Sequence, residues 1–541
     1  MFYFYSTIST YLSMKKQHLK TLKISIAALI FLLAQILSAQ EKTFSAEEFY
    51  NPPESARPRT WWHWTNGNIT KEGITKDLEW MKRAGIGGFQ LADVASGQGQ
   101  DVEKKIFFGT PEWLDALHHA ASEADRLGLE MAIFSSPGWS LTGGPWVKPE
   151  QAMKKLVWSE LNVKGPLNFS SKLPDPPSNE GPIRNMSRSA KISENEPRFY
   201  RDCLILAFPT PPDETFSQQA IPAVMSGAGP VKPAALFDDD LNTAVTIRAV
   251  KGSKTVWINF DFGTPFTARA ITLASRAGIP VGTLSYSING KDYITLAVLP
   301  GAQLYRAGKV ETISFPTTTA RYFRLEFTGA PMRPADIMSE ATTAPDTAYN
   351  FCEIKFHSCA RIHRWEDKAG FYHLFSYDPV ESPSVDPSSA IDPSKVINLT
   401  PLLQPDGSLR WNIPPGNWTI MRFGYSLTGS RNRPAVPAGT GYEVDKLSRD
   451  HTEAYINQYT GMLKEALGDL YGKALRYVLL DSWEAGMQNW TDNMLTEFRK
   501  RRGYDLTPYL PCLAGRIVGN SSISDRFLWD FRRTLADMFA E

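Results

Sequence analysis

Residues 59–94 read RTWWHWTNGNITKEGITKDLEWMKRAGIGGFQLADV, and their punctuation decides the fold. "TWWHWTNG" (60–67) is a short strand ending in a polar turn. "ITKDLEWMKRAG" (74–85) puts Ile74, Leu78 and Met81 on one helical face, with Gly85 as the stop. "IGGFQLADV" (86–94) is the next strand. The pattern then repeats: Thr110 reads as a cap, Pro111 as the first helical residue, and Leu114, Leu117, Ala121, Ala124 and Leu127 keep helical spacing. "LEMAIFSSPGWS" (129–140) is a third strand, apolar enough to be buried on both faces. Successive β–α units argue for parallel strands joined by helical crossovers.

From about Val157 to Phe356 the pattern changes to short alternating segments and turns. "WINFDFG" (257–263) sets Ile258, Phe260 and Phe262 against Asn259 and Asp261. "RYFRLEF" (321–327) sets Phe323, Leu325 and Phe327 against Arg324 and Glu326, and Asn289-Gly290 is a hairpin signal. After residue 445 the α/β pattern returns. Ile456, Tyr459, Leu463 and Leu467 line a helix, "LRYVLLDSWEAG" (475–486) is the strand after it, and Leu528, Phe531, Leu535 and Met538 line a last helix. Barrel strands are expected at 59–66, 86–94, 129–136, 417–426 and 475–482. The expected architecture is α/β: a (β/α)8 TIM-type barrel interrupted by an inserted β-sandwich and truncated at its C-terminus. By segment, 1–40 is a signal peptide, 41–156 the first part of the barrel and 157–356 the insert, with 357–415 further strands and 416–541 an incomplete continuation of the barrel.

The 541 residues exceed one ordinary domain, and 42% hydrophobic with 21% charged residues fits a globular protein with a large core. A net charge of +1 gives no field favouring nucleic acid or an anionic membrane. Lys15, Lys16, Lys20 and Lys23 precede "ISIAALIFLLAQILSAQ" (24–40), the layout of a secretory signal, so a secreted or periplasmic protein with no membrane span after signal removal is expected. Cys203, Cys352, Cys359 and Cys512 show neither metal-like spacing nor a disulfide framework; an oxidising compartment would allow a Cys352–Cys359 bridge, but nothing in the sequence requires it.

In parallel barrels, reactive groups gather at the C-terminal ends of strands. Those ends carry Trp64 and Asn66, then Gln90 and Asp93, then Trp139, then Tyr425, and finally Asp481, Trp483 and Glu484. The loop "GTGYEVDKLS" (439–448) adds Glu443 and Asp445. Carboxylates, amides and indoles around one mouth are the inventory of a sugar site. Glu484, just past an apolar strand and flanked by Trp483 and Ala485-Gly486, is the candidate general acid, because partial desolvation there would keep it protonated. Trp64, Asn66, Gln90, Asp93, Trp139, Tyr425, Asp481 and Trp483 are the candidate sugar contacts.

The blocks 57–91, 123–153, "GYEVDKLS" (441–448) and "DSWEAGMQNW…RRGYDLTPYLP" (481–511) resemble glycoside hydrolase family 106, the bacterial α-L-rhamnosidases. The resemblance implies an interrupted TIM barrel and hydrolysis of α-L-rhamnosides on plant or pectic glycans with inversion. It also implies a calcium ion near the sugar and a general acid at the glutamate of "DSWEAG", which is Glu484. Glu443 and Asp445 are the candidate calcium ligands. Family members are longer, and no counterpart of their general base is expected before Glu541. The stretch 225–330 looks like a discoidin-type sandwich. Two other readings stay open: a non-catalytic glycan-binding protein, and a retaining TIM-barrel glycosidase of another family.

Overall fold

The computed structural model describes residues 46–541 apart from 96–101, 179–196, 215–220, 250–251, 254, 276–278, 301–308, 328–347 and 373–379. The expected signal segment therefore lies outside the described residues. Strands β1 (Arg59–Thr65), β2 (Gly88–Val94) and β3 (Glu130–Phe134) are parallel and adjacent in that order. Helices Lys71–Arg83 and Pro111–Leu127 make the crossovers. Each starts where the sequence supplies a cap: Gly73 N donates to Thr70 Oγ1 at 3.0 Å, and Trp113 N donates to Thr110 Oγ1 at 3.2 Å. The second ends at Gly128, whose φ of 64° suits glycine at a helix C-terminus.

The chain then builds two antiparallel sheets. In one, β4 (Lys154–Lys172), β5 (Tyr200–Pro209), β14 (Ile397–Asn398) and β15 (Ser408–Leu427) run in the order β14-β5-β15-β4. The other holds the eight strands β6 to β13 between Ala223 and His357. There β9 (Val256–Ser275) and β12 (Lys309–Phe327) pair antiparallel, burying Ile258, Phe260, Phe323 and Leu325 as the alternation requires. The Asn289-Gly290 hairpin forms between Val281–Ser287 and Ile294–Pro300, with Gly290 at φ 72°. Lys309 and Glu311 of β12 make a buried ion cluster with Arg364 and Asp367, fastening this sheet to the C-terminal part of the chain. The stretch 157–356, read as one insert, thus contributes to two sheets.

Strand β16 (Leu475–Leu479) then returns to the first sheet, parallel to β3, giving the order β1-β2-β3-β16. Among the described residues this sheet has four strands and no closed barrel exists, so the expected (β/α)8 closure is not found. The segment 417–426, expected as a barrel strand, instead lies in β15 between β4 and β5. The reason is physical. Residues 418–427 are buried throughout, and a run buried on both faces reads alike in parallel and antiparallel sheets. All four cysteines are free, so the Cys352–Cys359 bridge is absent. No helix among the described residues is long and apolar enough to cross a membrane.

One face of the parallel sheet packs Trp62, Trp64, Phe89, Leu91, Met131 and Ile133 against the two crossover helices and the helix Arg449–Leu467. The other face is covered at Ala92, Val94 and Phe134 by Trp139 and Leu479 and is open at its rim. Trp61, Gln90, Ala132 and Tyr477 lie in register across it, and Trp61 and Tyr477 are each 55% exposed.

Candidate active site

Strand β16 delivers the chain into "LDSWEAG" (480–486), a loop held by its own atoms and by a neighbour. Ser482 N donates to Asp481 Oδ1 at 2.7 Å and Ser482 Oγ to Glu484 Oε1 at 2.9 Å. Trp483 Nε1 donates to Gly486 O at 2.7 Å, and Gly486 takes a φ of 83°. The neighbour is the loop 428–448. Its Ser430 Oγ donates to Ala485 O at 2.6 Å, and Arg433 Nη2 donates to Glu484 O at 3.1 Å. Arg433 also faces the loop after β3: its carbonyl accepts from Trp139 N at 3.1 Å and Ser140 Oγ at 3.3 Å. Gly138 makes that approach possible, since a Cβ there would stand 2.7 Å from the Arg433 carbonyl carbon. Arg433 therefore ties the end of β3 to the loop of Glu484.

On the open face beside this junction stand His63 and Trp139, ring centroids 5.6 Å apart, with Trp61 5.5 Å from His63. His63 Nε2 and Trp139 Nε1 are sequestered from water yet have no hydrogen-bond partner among the described residues. Burial pulls the His63 imidazole below its ordinary pKa, which favours the neutral ring. Open aromatic faces, an amide at Gln90 and unpartnered ring nitrogens suit a hydroxylated ring.

Comparisons with known proteins give the family. Residues 50–541 match the model of the family described as alpha-L-rhamnosidase, glycoside hydrolase family 106. This chain belongs to that family. The rhamnosidase of Novosphingobium sp. PP1Y, a solved structure, is 39% identical with a TM-score of 0.75, over 91% of this chain and 45% of its own. A Formosa agariphila protein provisionally named a β-glucuronidase is 30% identical over 493 residues, 91% of this chain and 28% of its own. The chain thus spans less than half the length of either relative.

Against the family 106 reading, the expected site residues divide. Gln90, Trp139, Asp481, Trp483 and Glu484 lie on the open face or on the loops joined by Arg433. Trp64 and Asp93 do not. They pair in register but point into the helix layer, where Trp64 is 1% exposed with its ring against Trp62 and Trp113. A ring packed this way has no face left for a sugar. Asp93 Oδ2 accepts from Trp113 Nε1 at 2.9 Å, its Oδ1 has no partner among the described residues, and burial pushes the pKa of its carboxyl up to about 7. Asn66 occupies the turn after β1 in a left-handed conformation (φ 54°), its N–H bonded to Val94 O at 2.8 Å. Tyr425 belongs to the antiparallel core against Phe199, and burial beside Asp492 pushes its phenol up to about 12.

Glu484 itself is exposed, so the expected desolvation is absent. The cause is the edge position of β16, which pairs only with β3 among the described residues and leaves Tyr477 and Leu480 55% and 60% exposed.

The calcium assignment fails a test of fit. Both oxygens of Asp445, which is fully buried, already accept: Oδ2 from Lys154 Nζ (3.1 Å) and Thr491 Oγ1 (2.7 Å), Oδ1 from Leu447 N (3.0 Å) and Gln488 Nε2. Glu443 Oε2 accepts from Lys446 Nζ at 2.7 Å and Thr142 Oγ1 at 2.8 Å, leaving only Oε1. A hard dication takes six to eight oxygen ligands, and an ammonium held at salt-bridge distance opposes it. Among the described residues no group of three or more His, Cys, Asp or Glu gathers to hold a metal. Sequence reasoning did not select His63, Arg433 or Lys446. Of these only His63 had a signal, its place as a polar residue near the C-terminal end of the first strand.

Proposed function

We propose that this chain supplies the general-acid half of the active site of a secreted glycosidase that removes α-L-rhamnosyl residues from plant or pectic glycans. Family membership supports the glycosidase class, and the observation that supports the site is the double contact of Arg433, which donates from Nη2 to Glu484 O while its carbonyl accepts from Trp139 N. In the proposed reaction a bound sugar covers the exposed Glu484 side chain and so favours its acid form, which donates its proton to the glycosidic oxygen as the bond from that oxygen to the anomeric carbon breaks. A second carboxylate takes a proton from water attacking the opposite face, with the two carboxyl groups roughly 6.5–9.5 Å apart. Trp61 and Trp139 offer rings to the sugar, and Gln90 a hydrogen-bonding amide.

The test compares Glu484→Gln with the parent, in a protein of full family length, on two substrates. A p-nitrophenyl α-L-rhamnoside has a leaving group that needs little protonation, whereas a rhamnosyl disaccharide needs it fully. The variant is expected to lose about 10²–10⁴-fold on the disaccharide and much less on the aryl glycoside. Equal turnover by parent and variant on both refutes the assignment. Proton NMR of the first-formed anomer checks inversion. The name of the Formosa agariphila relative motivates a second reading, a β-glucuronidase, which turnover of an aryl β-glucuronide in place of the rhamnoside would favour.

A further inference from the structure

Lys446 lies beneath the Glu484 loop, almost without access to water. Its Nζ donates to Glu443 Oε2 at 2.7 Å, Thr142 Oγ1 at 3.1 Å, Val444 O at 3.4 Å and Met153 Sδ at 3.5 Å. The same ammonium sits over the Trp483 ring, 5.7 Å from its centroid. Its backbone N–H donates to Gln488 Oε1 at 3.0 Å, and Gln488 Nε2 reaches Asp445 and Trp490 O. Lys446 thus grips both ends of the segment 483–488.

Burying an ammonium is costly, and an apolar residue of similar volume often replaces a buried pair at no loss of stability. What a methionine would not supply is a charge shared between Glu443 and an indole face. That indole belongs to the residue before Glu484; it also donates from Nε1 to Gly486 O at 2.7 Å and meets Phe539, 4.8 Å between centroids.

We propose that Lys446 is a positioning residue: its ammonium, neutralised by Glu443, holds the Trp483 ring and so fixes the direction in which the Glu484 side chain leaves the loop. Glu443 and Asp445 are then counter-ions of Lys446 and Lys154 and not metal ligands. The catalytic consequence rests on reading Glu484 as the acid; the hold on Trp483 does not.

The experiment uses protein of full family length labelled with 5-fluorotryptophan, the Trp483 resonance being assigned by its loss in Trp483→Phe. Lys446→Met alone leaves Glu443 buried and unpaired, so the deciding variant is Glu443→Gln/Lys446→Met, which removes both charges. The double variant is expected to keep a cooperative unfolding transition while its Trp483 resonance shifts or broadens. On the rhamnosyl disaccharide its kcat is expected to fall about a hundredfold with KM changed less than about threefold. A parent-like resonance overturns the proposal, as does loss of cooperative unfolding, which would make the pair part of the core. If Glu484→Gln retains parent activity, the acid reading fails while the resonance still decides the role of Lys446. Millimolar calcium that raises the Tm of the parent but not of Glu443→Gln overturns the counter-ion assignment.

Discussion

Replacing Asp93 by asparagine tests whether the second strand turns its carboxyl toward the helices. The asparagine keeps an acceptor for Trp113 Nε1 and removes only the titration. In the unfolded chain this carboxyl ionises near 3.8; in the folded protein burial holds the proton to about 7. Between those values the folded state carries a proton that the unfolded state has lost, so unfolding releases it and stability falls as pH rises through the window. Roughly three pH units at about 1.4 kcal/mol each make about 4 kcal/mol of stability, fully present below pH 4 and fully lost above pH 7. The asparagine variant has no such slope. Urea unfolding of both proteins from pH 4 to 8, compared as variant minus parent so that other groups cancel, is expected to show the variant gaining about 4 kcal/mol across the range. An uncompensated amide sets a constant offset of about 1–3 kcal/mol against it at every pH. Parallel curves refute the reasoning. They would mean that water reaches Asp93, which would return it to the sugar site where its place at a strand end first put it.

Three further outcomes follow from the same geometry. Gly138→Ala adds a Cβ at 2.7 Å from the Arg433 carbonyl carbon in a left-handed backbone, so a loss of about 1–3 kcal/mol in urea unfolding is expected, together with reduced turnover. Lys154→Met strands the fully buried Asp445 without its cation and is expected to cost about 3–5 kcal/mol, most of it recovered in Lys154→Met/Asp445→Asn. Arg433→Ala removes the donor to Glu484 O at an exposed position, so unfolding should move by less than about 1 kcal/mol while turnover falls about tenfold or more; unchanged turnover would leave the bridge without a catalytic role.

The fold was legible where local chemistry and distant packing agree. Thr70 and Thr110 cap helices whose apolar faces cover the sheet, and those helices force β1, β2 and β3 to run parallel. The strand at 475–479 follows a helix of the same kind and joins them. The segment 417–426 carries no such information. Its partner is 154–172, more than two hundred residues earlier, and only the pairing distinguishes a barrel strand from the centre of an antiparallel sheet. Parity was hidden for a related reason. Trp61, Trp62, His63 and Trp64 are all bulky, so nothing in their order says that 62 and 64 meet the helices while 61 and 63 meet the open face.

The site shows the same division at the level of single atoms. That a glutamate stands just past an apolar strand, beside an indole, is written in "DSWEAG". Its carboxylate accepts from Ser482 Oγ within the loop, but what holds the loop's backbone is written elsewhere: in Ser430 and Arg433, about fifty residues earlier, and in Lys446 against Trp483. None of these shares a helical or strand period with Glu484, and each acts through a backbone carbonyl or a ring that sequence spacing does not describe. Two hydrogen bonds and one ring contact from a single neighbouring loop fix a segment whose own strand lies at the sheet edge. The placement of Glu484 therefore depends on the loop 428–448 more than on β16. Substitutions at 430, 433 and 446 should accordingly disturb turnover more than substitution of exposed Tyr477 on the strand itself, and the reverse order would show that the strand, not the loop, aims the acid.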